Sequence, residues 1–134
     1  MIKKIDHIGI AVRDPKPVLE VYKALGLEPE SVEEVTSQKV RVTFLNVGES
    51  RLELLEPTSD DSPIAKALET RGEGVHHIAF AVDDIEEAIK KCQEAGMRMI
   101  DQVPRIGAHH NMIAFIHPKS THGVLVEVCA KQKE

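Results

Sequence analysis

The 134-residue sequence contains no tryptophan, one tyrosine and three phenylalanines, and its formal net charge is −5. Proteins that bind nucleic acid typically present a basic surface and aromatic side chains on which bases stack, so this composition excludes nucleic acid as a partner. The two cysteines, Cys92 and Cys129, form no Cys-x-x-Cys pair, which argues against a disulfide framework and against a thiolate zinc site.

Long apolar runs are also missing from the sequence, and we expect no cleavable leader. No apolar stretch approaches the roughly 18 residues of a membrane span, and the first residues, MIKKID, lead directly into a patterned segment. We therefore expect a cytoplasmic protein without a membrane partner. The length suits a single domain over residues 1–134, so any second unit within it must be an internal repeat.

The sequence does contain such a repeat. Residues 7–14 read HIGIAVRD and residues 77–84 read HIAFAVDD, so 70 residues separate His7 from His77. In both segments apolar residues alternate with a histidine and small side chains, which predicts two half-buried strands. We place repeat 1 at about 1–72 and repeat 2 at about 73–134.

The segments that follow each predicted strand agree with a duplicated module. Asp14 precedes Pro15 and a helical pattern, and Asp83 or Asp84 precedes a second helical pattern, while Ser62 is placed to cap a short helix between the copies. Extended segments are predicted at residues 39–46, 51–56, 97–102, 112–117 and 124–129. The expected fold class is α+β, with paired β-α-β-β-β modules forming a curved mixed sheet.

The repeat also pairs two carboxylates. Glu53 lies in LELL, 46 residues after His7, and Glu127 lies in VLVEVC, 50 residues after His77. Taken singly, a strand histidine is more often an ordinary hydrogen-bonding residue, and a strand glutamate more often faces solvent. Taken together, two imidazoles and two carboxylates in otherwise apolar strands suit a divalent first-row metal with positions open to substrate.

Two further histidines fall in a loop. His109 and His110 follow Ile106-Gly-Ala, and this loop could cover a site or be an ordinary solvated connection. His76 neighbours His77 in a strand and therefore points to the opposite face.

At this point the sequence resembles the vicinal oxygen chelate superfamily, the glyoxalase-like proteins that hold a metal between paired β-α-β-β-β modules. Within that superfamily it is most similar to the methylmalonyl-CoA epimerases, and the resemblance covers essentially the whole chain. The segments that carry it are KIDHIGIAV (4–12), LELLEP (52–57), DSPIAKAL (61–68), GVHHIAF (74–80) and IGAHHNMIAFIHPKSTHGVLVEV (106–128).

The resemblance implies an isomerase that interconverts (2R)- and (2S)-methylmalonyl-CoA by removing the C2 proton through a metal-stabilised enolate. It places metal ligands at His7, His77 and Glu127, with Glu53 as a fourth, and it implies a divalent ion, cobalt first and manganese, nickel or zinc as alternatives. It also implies an acyl-CoA substrate and a homodimer. The residues that it suggests for substrate binding are Arg105, Lys119 and His109.

One position departs from the family. A glutamate proposed as catalytic base in some members is expected near residues 40–44, and this chain has no acid there. Glu53 and Glu127 are therefore the residues that we expect to move the proton, each acting as ligand or base.

Three other functions remain open at this stage. A lactoylglutathione lyase of the glyoxalase I type would use a similar set of histidines and glutamates. A non-haem iron dioxygenase would use two histidines and one carboxylate, although Glu53 would crowd its open oxygen position. A non-catalytic small-molecule binding protein could share the fold without any metal.

Overall fold

A computed structural model describes residues 1–132 of the chain, which form eight β-strands and three α-helices. The strands are β1 (Ile2–Ala11), β2 (Pro29–Val35), β3 (Val40–Val47), β4 (Ser50–Pro57), β5 (Gly74–Val82), β6 (Arg105–Ile106), β7 (Asn111–Ile116) and β8 (Val126–Lys131). The helices are α1 (Pro15–Ala24), α2 (Pro63–Arg71) and α3 (Ile85–Glu94). Two short 3-10 turns cover Thr36–Gln38 and Ala108–His110.

The first of two compact units consists of His7–His76. Its strands are ordered β2, β3, β4 and the second half of β1, residues 7–11. Strand β3 is antiparallel to β2 and β4, and this half of β1 is parallel to β4. Helix α1 packs on this sheet through its apolar face, as the spacing of its apolar residues predicts. The packed residues include Val12, Leu45 and Leu54, together with Val18, Leu19 and Tyr22 from the helix.

The second unit consists of Met1–Asp6 and the described chain from His77 onward. Strand β5 is parallel to β8, β8 is antiparallel to β7, and β7 is antiparallel to the two-residue strand β6. Helix α3 covers this sheet in the way that α1 covers the first. The buried residues at this contact include Ile85, Ala88 and Ile89 from the helix and Ala114, Ile116 and Val128 from the strands.

The predicted helix caps are confirmed. The Asp14 side chain accepts a hydrogen bond from the Lys16 backbone N–H at 3.0 Å, and Asp84, rather than Asp83, accepts one from the Glu87 N–H at 3.2 Å. The Ser62 hydroxyl likewise accepts from the Ile64 N–H at the start of α2, at 3.1 Å. Each cap satisfies one of the backbone donors that a helix start leaves without an intrahelical partner.

The predicted strand at residues 97–102 is wrong. Only an isolated bridge forms there, between Met99 and Ile116. The ladder stops because the Asp101 carboxylate, rather than a backbone carbonyl, accepts the Phe115 N–H at 2.8 Å. Strand β2 was not predicted, because its sequence PESVEEV is rich in residues that disfavour strands.

The predicted fold class is confirmed, since both units combine parallel and antiparallel strands with a helix on the sheet. In the described part of the chain, neither Cys92 nor Cys129 forms a disulfide bond. Within residues 1–132 the chain has no helix that is long and apolar enough to cross a membrane. The assignment of residues 1–134 to one domain, with repeat 1 at about 1–72 and repeat 2 at about 73–134, stays a prediction.

Candidate functional site

In the first unit, His7 and Glu53 form a buried pair. Strand β1 runs parallel to β4 in a register that places Gly9 opposite Glu53, and the side chain of Glu53 reaches His7, with 3.3 Å between His7 Nδ1 and Glu53 Oε2. Both residues are buried, with 5% of His7 and 3% of Glu53 exposed. A carboxylate at this depth requires charge or hydrogen-bond partners, and the histidine supplies one.

Arg51 supplies a second partner to Glu53. Its Nη2 donates a hydrogen bond to Glu53 Oε2 at 3.1 Å, and its guanidinium carbon lies 5.7 Å from the centre of the Phe44 ring. Phe44 is fully buried and stands directly opposite Glu53 in the antiparallel register of β3 and β4. The carboxylate therefore lies between a cation, an imidazole and an aromatic strand neighbour.

The second unit contains a matching pair, His77 and Glu127. Ala79 of β5 stands opposite Glu127 of β8, and 3.3 Å separate His77 Nε2 from Glu127 Oε1. In both units, then, the residue two positions after the histidine stands opposite the glutamate. The repeat in the sequence thus appears as the same local geometry in each unit.

Phe115 fixes the surroundings of the second pair. It stands opposite Glu127 in the register of β7 and β8, and its ring meets the His77 ring edge to face, with 5.4 Å between centroids and 86° between planes. Arg105 covers the ring with its guanidinium carbon 5.6 Å from the centroid. The Arg105 Nε donates to Asp101 Oδ1 at 3.1 Å, and Asp101 also accepts the Phe115 N–H.

The residues predicted for substrate binding all belong to the second unit. The Arg105 side chain is 44% exposed, and Lys119 and His109 are exposed as well. Lys119 lies in the turn after His117, where its N–H donates to His117 Nδ1 at 3.0 Å. Their role in binding stays a prediction.

Each His–Glu pair offers an imidazole nitrogen and a carboxylate oxygen from buried side chains on paired strands. Neutral imidazole and carboxylate are ligands that divalent first-row metals accept, so the donors in both units fit such an ion. The assignment of His7, His77, Glu127 and Glu53 as ligands stays a prediction at this point.

Sequence reasoning missed four residues around these pairs, namely Arg51, Phe44, Phe115 and Asp101. Arg51 could have been found, because strand alternation places it on the same face as Glu53, two positions away. The two phenylalanines become recognisable only once strand pairing sets them opposite the glutamates.

Known proteins are similar to this chain over most of its length. The model of the Glyoxalase/Bleomycin resistance protein/Dioxygenase superfamily matches residues 6–115. An ethylmalonyl-CoA/methylmalonyl-CoA epimerase of Cereibacter sphaeroides is 37% identical over 131 residues, which cover 96% of this chain and 98% of the relative. Uncharacterized protein YqjC of Bacillus subtilis is 43% identical, with 96% of this chain and 92% of that protein covered.

A solved structure extends the similarity to three dimensions. A Streptomyces coelicolor methylmalonyl-CoA epimerase in complex with 2-nitronate-propionyl-CoA superposes with a TM-score of 0.93 at 40% identity. The match covers 98% of this chain and 96% of the other. These comparisons confirm the resemblance that the sequence motifs predicted.

Proposed function

We propose that this chain, which belongs to the Glyoxalase/Bleomycin resistance protein/Dioxygenase superfamily and within it to the methylmalonyl-CoA epimerases, interconverts the 2R and 2S forms of methylmalonyl-CoA. The observation that carries this proposal is the similarity to an epimerase over 96% of the chain. The duplicated His–Glu pair supports it, because the reaction needs proton transfer on two faces of one carbon.

His7, Glu53, His77 and Glu127 would together hold one divalent metal ion, with cobalt as the first choice and manganese, nickel or zinc as alternatives. The support is the chemistry of the donors and their equivalent positions in the two units. When bound, such an ion would act as a Lewis acid on the substrate carbonyl next to C2.

Proton transfer falls to the two glutamates. One glutamate, present as the carboxylate, removes the C2 proton, which leaves the carbon planar. The second, present as the carboxylic acid, gives its proton to the opposite face, so the configuration at C2 is inverted. Both glutamate side chains are almost fully buried, which keeps bulk water away from their carboxyl groups. Each carboxylate touches a histidine, which limits the positions that its oxygens occupy.

The CoA portion of the substrate carries phosphates, and exposed cations suit them. We assign this role to Arg105, Lys119 and His109, all of which are exposed. A homodimer and a cytoplasmic location complete the proposal.

A single-enantiomer assay in deuterium oxide tests the function. The purified protein, loaded with Co²⁺, should convert (2R)-methylmalonyl-CoA to the mixture of both forms and introduce deuterium at C2. Turnover of the hemithioacetal of methylglyoxal and glutathione instead would favour the glyoxalase I alternative. Tight binding of the CoA ester without exchange would favour a binding protein and contradict the proposal.

Variants of the two glutamates test the mechanism. Glu53→Gln and Glu127→Gln should each lower epimerisation by about 10²-fold or more, as expected for loss of a general acid or base. Glu56→Gln is the matched control, because Glu56 lies on the same strand as Glu53 but bonds to Arg41, at 3.0 Å. Full exchange and full turnover in both site variants would refute the assignment.

A further inference from the structure

Arg51 stands beside the His7–Glu53 pair on two strands at once. It is opposite His7 in the parallel register of β1 and β4, and it precedes Glu53 by two residues on β4, so both β4 side chains lie on one face of the sheet. The Arg51 side chain is only 17% exposed, although arginine side chains normally remain in solvent.

The contacts of Arg51 converge on one carboxylate oxygen. Glu53 Oε2 lies 3.1 Å from Arg51 Nη2 and 3.3 Å from His7 Nδ1. The buried Phe44 ring lies 5.7 Å from the guanidinium carbon and restricts its movement. Because the guanidinium is rigid and planar, a guanidinium restricted in this way also restricts the oxygen to which it donates.

The second unit also has an arginine stacked on a phenylalanine, but this arginine donates its hydrogen bond to a residue outside the His–Glu pair. Arg105 covers Phe115 and donates to Asp101, which is not a member of the His77–Glu127 pair. Its side chain is 44% exposed, against 17% for Arg51. The two units therefore match in their His–Glu pairs and differ in the partner of the arginine.

We propose that Arg51 is a positioning residue of this site, which holds the Glu53 carboxylate beside His7 so that it is ready to bind the metal and to move the C2 proton. The catalytic part of this inference rests on the proposed function, whereas the effect on metal binding can be measured without turnover. Arg51 acts through Glu53 and has no contact with the reacting carbon to make.

Two substitutions and one control test the inference. Arg51→Gln removes the cation but keeps most of the stem, and Arg51→Lys keeps the charge but loses the planar group. Arg41→Gln is the matched control, since Arg41 bonds to Glu56 across the same pair of strands with a side chain that is 46% exposed. All variants are stripped of metal and titrated with Co²⁺ by calorimetry, and kcat and KM are then measured.

Arg51→Gln should weaken Co²⁺ binding by about 10- to 100-fold, the range usual for loss of a residue that orients a metal ligand. We expect kcat to fall by a similar factor with KM little changed, because the substrate contacts remain. Arg51→Lys should recover part of both losses, and Arg41→Gln should match the parent protein.

The direction in which the Co²⁺ affinity changes distinguishes positioning of Glu53 by Arg51 from simple electrostatic repulsion between Arg51 and the ion. If Arg51 acted only as a nearby positive charge, its removal would tighten Co²⁺ binding, and equal or tighter binding by Arg51→Gln overturns the inference. If Arg51→Gln does not fold, parent-like affinity and kcat in Arg51→Lys overturn it instead. A parent that binds Co²⁺ but does not epimerise refutes the proposed function alone, while a parent that binds no Co²⁺ overturns the inference whatever its activity.

Discussion

Replacement of Phe115 by leucine should destabilise the second unit by removing two aromatic contacts. Phe115 is only 8% exposed, and its ring meets His77 edge to face and lies beneath the Arg105 guanidinium. An edge-to-face pair contributes about 0.5–1.5 kcal/mol and an exposed cation–π contact about 0.5–1 kcal/mol. Leucine preserves the apolar character but neither contact, so Phe115→Leu should lower the free energy of unfolding by about 1–2.5 kcal/mol.

Urea denaturation of the metal-free protein measures this loss. Phe80→Leu is the control, because Phe80 lies on β5 of the same unit with a half-buried side chain, and it should lose less. A double-mutant cycle with Arg105→Gln isolates the cation–π contact and should give a coupling of about 0.5–1 kcal/mol. A loss no larger than that of the control, together with zero coupling, would show that these ring contacts do not stabilise the unit.

Three further predictions address strain, pH and metal. His110 has a φ of 57°, which lies in the left-handed region and costs a non-glycine residue about 1–2 kcal/mol. His110→Gly removes this strain, and the greater flexibility of glycine in the unfolded chain offsets part of the gain. Urea unfolding should therefore show a stabilisation of about 0.5–1 kcal/mol. The hydrogen bond from Lys39 lowers the pKa of Asp61 to about 2 from 3.8. Asp61→Asn should therefore be less stable than the parent at neutral pH, and the difference should vanish as the pH falls through that interval; a gap that persists at pH 1.5 would contradict this. Removal of metal by a chelator should abolish epimerisation. Addition of Co²⁺ at about 100 times its Kd should restore epimerisation and add about 2.7 kcal/mol to the free energy of unfolding. A melting temperature that does not change when Co²⁺ is added would argue against a bound ion.

The two histidines and two glutamates that form buried pairs could be predicted from the sequence, because each of them has an equivalent in the other repeat. Once His7 is matched with His77, the alternation of strands leaves few polar positions late in each module, and Glu53 and Glu127 are those positions. Helix starts were equally accessible, because a capping side chain acts on backbone only two or three residues away.

Strand pairing between residues that are distant in the sequence could not be predicted in the same way. The segment around Met99 has the apolar pattern of a strand, yet Asp101 takes the Phe115 N–H that would have continued the ladder. Strand β2 forms against its own composition because β3 offers an antiparallel edge, with which it pairs on both sides of a register shift between Pro29 and Ser31. In both cases tertiary hydrogen bonds outweigh a local preference of at most about 1 kcal/mol per residue.

Arg51 and Arg105 differ between the two units in a way that the sequence repeat does not predict. Arg51 reaches Phe44 from β4, the strand that carries Glu53, whereas Arg105 reaches Phe115 from β6, which lies on the side of β7 away from the strand that carries Glu127. Similar stacks have thus been built from unrelated positions, and only one of them donates to a glutamate of the site. The proposed mechanism transfers protons on two faces of one carbon, and for that task Glu53 and Glu127 need equivalent reach but not equivalent support.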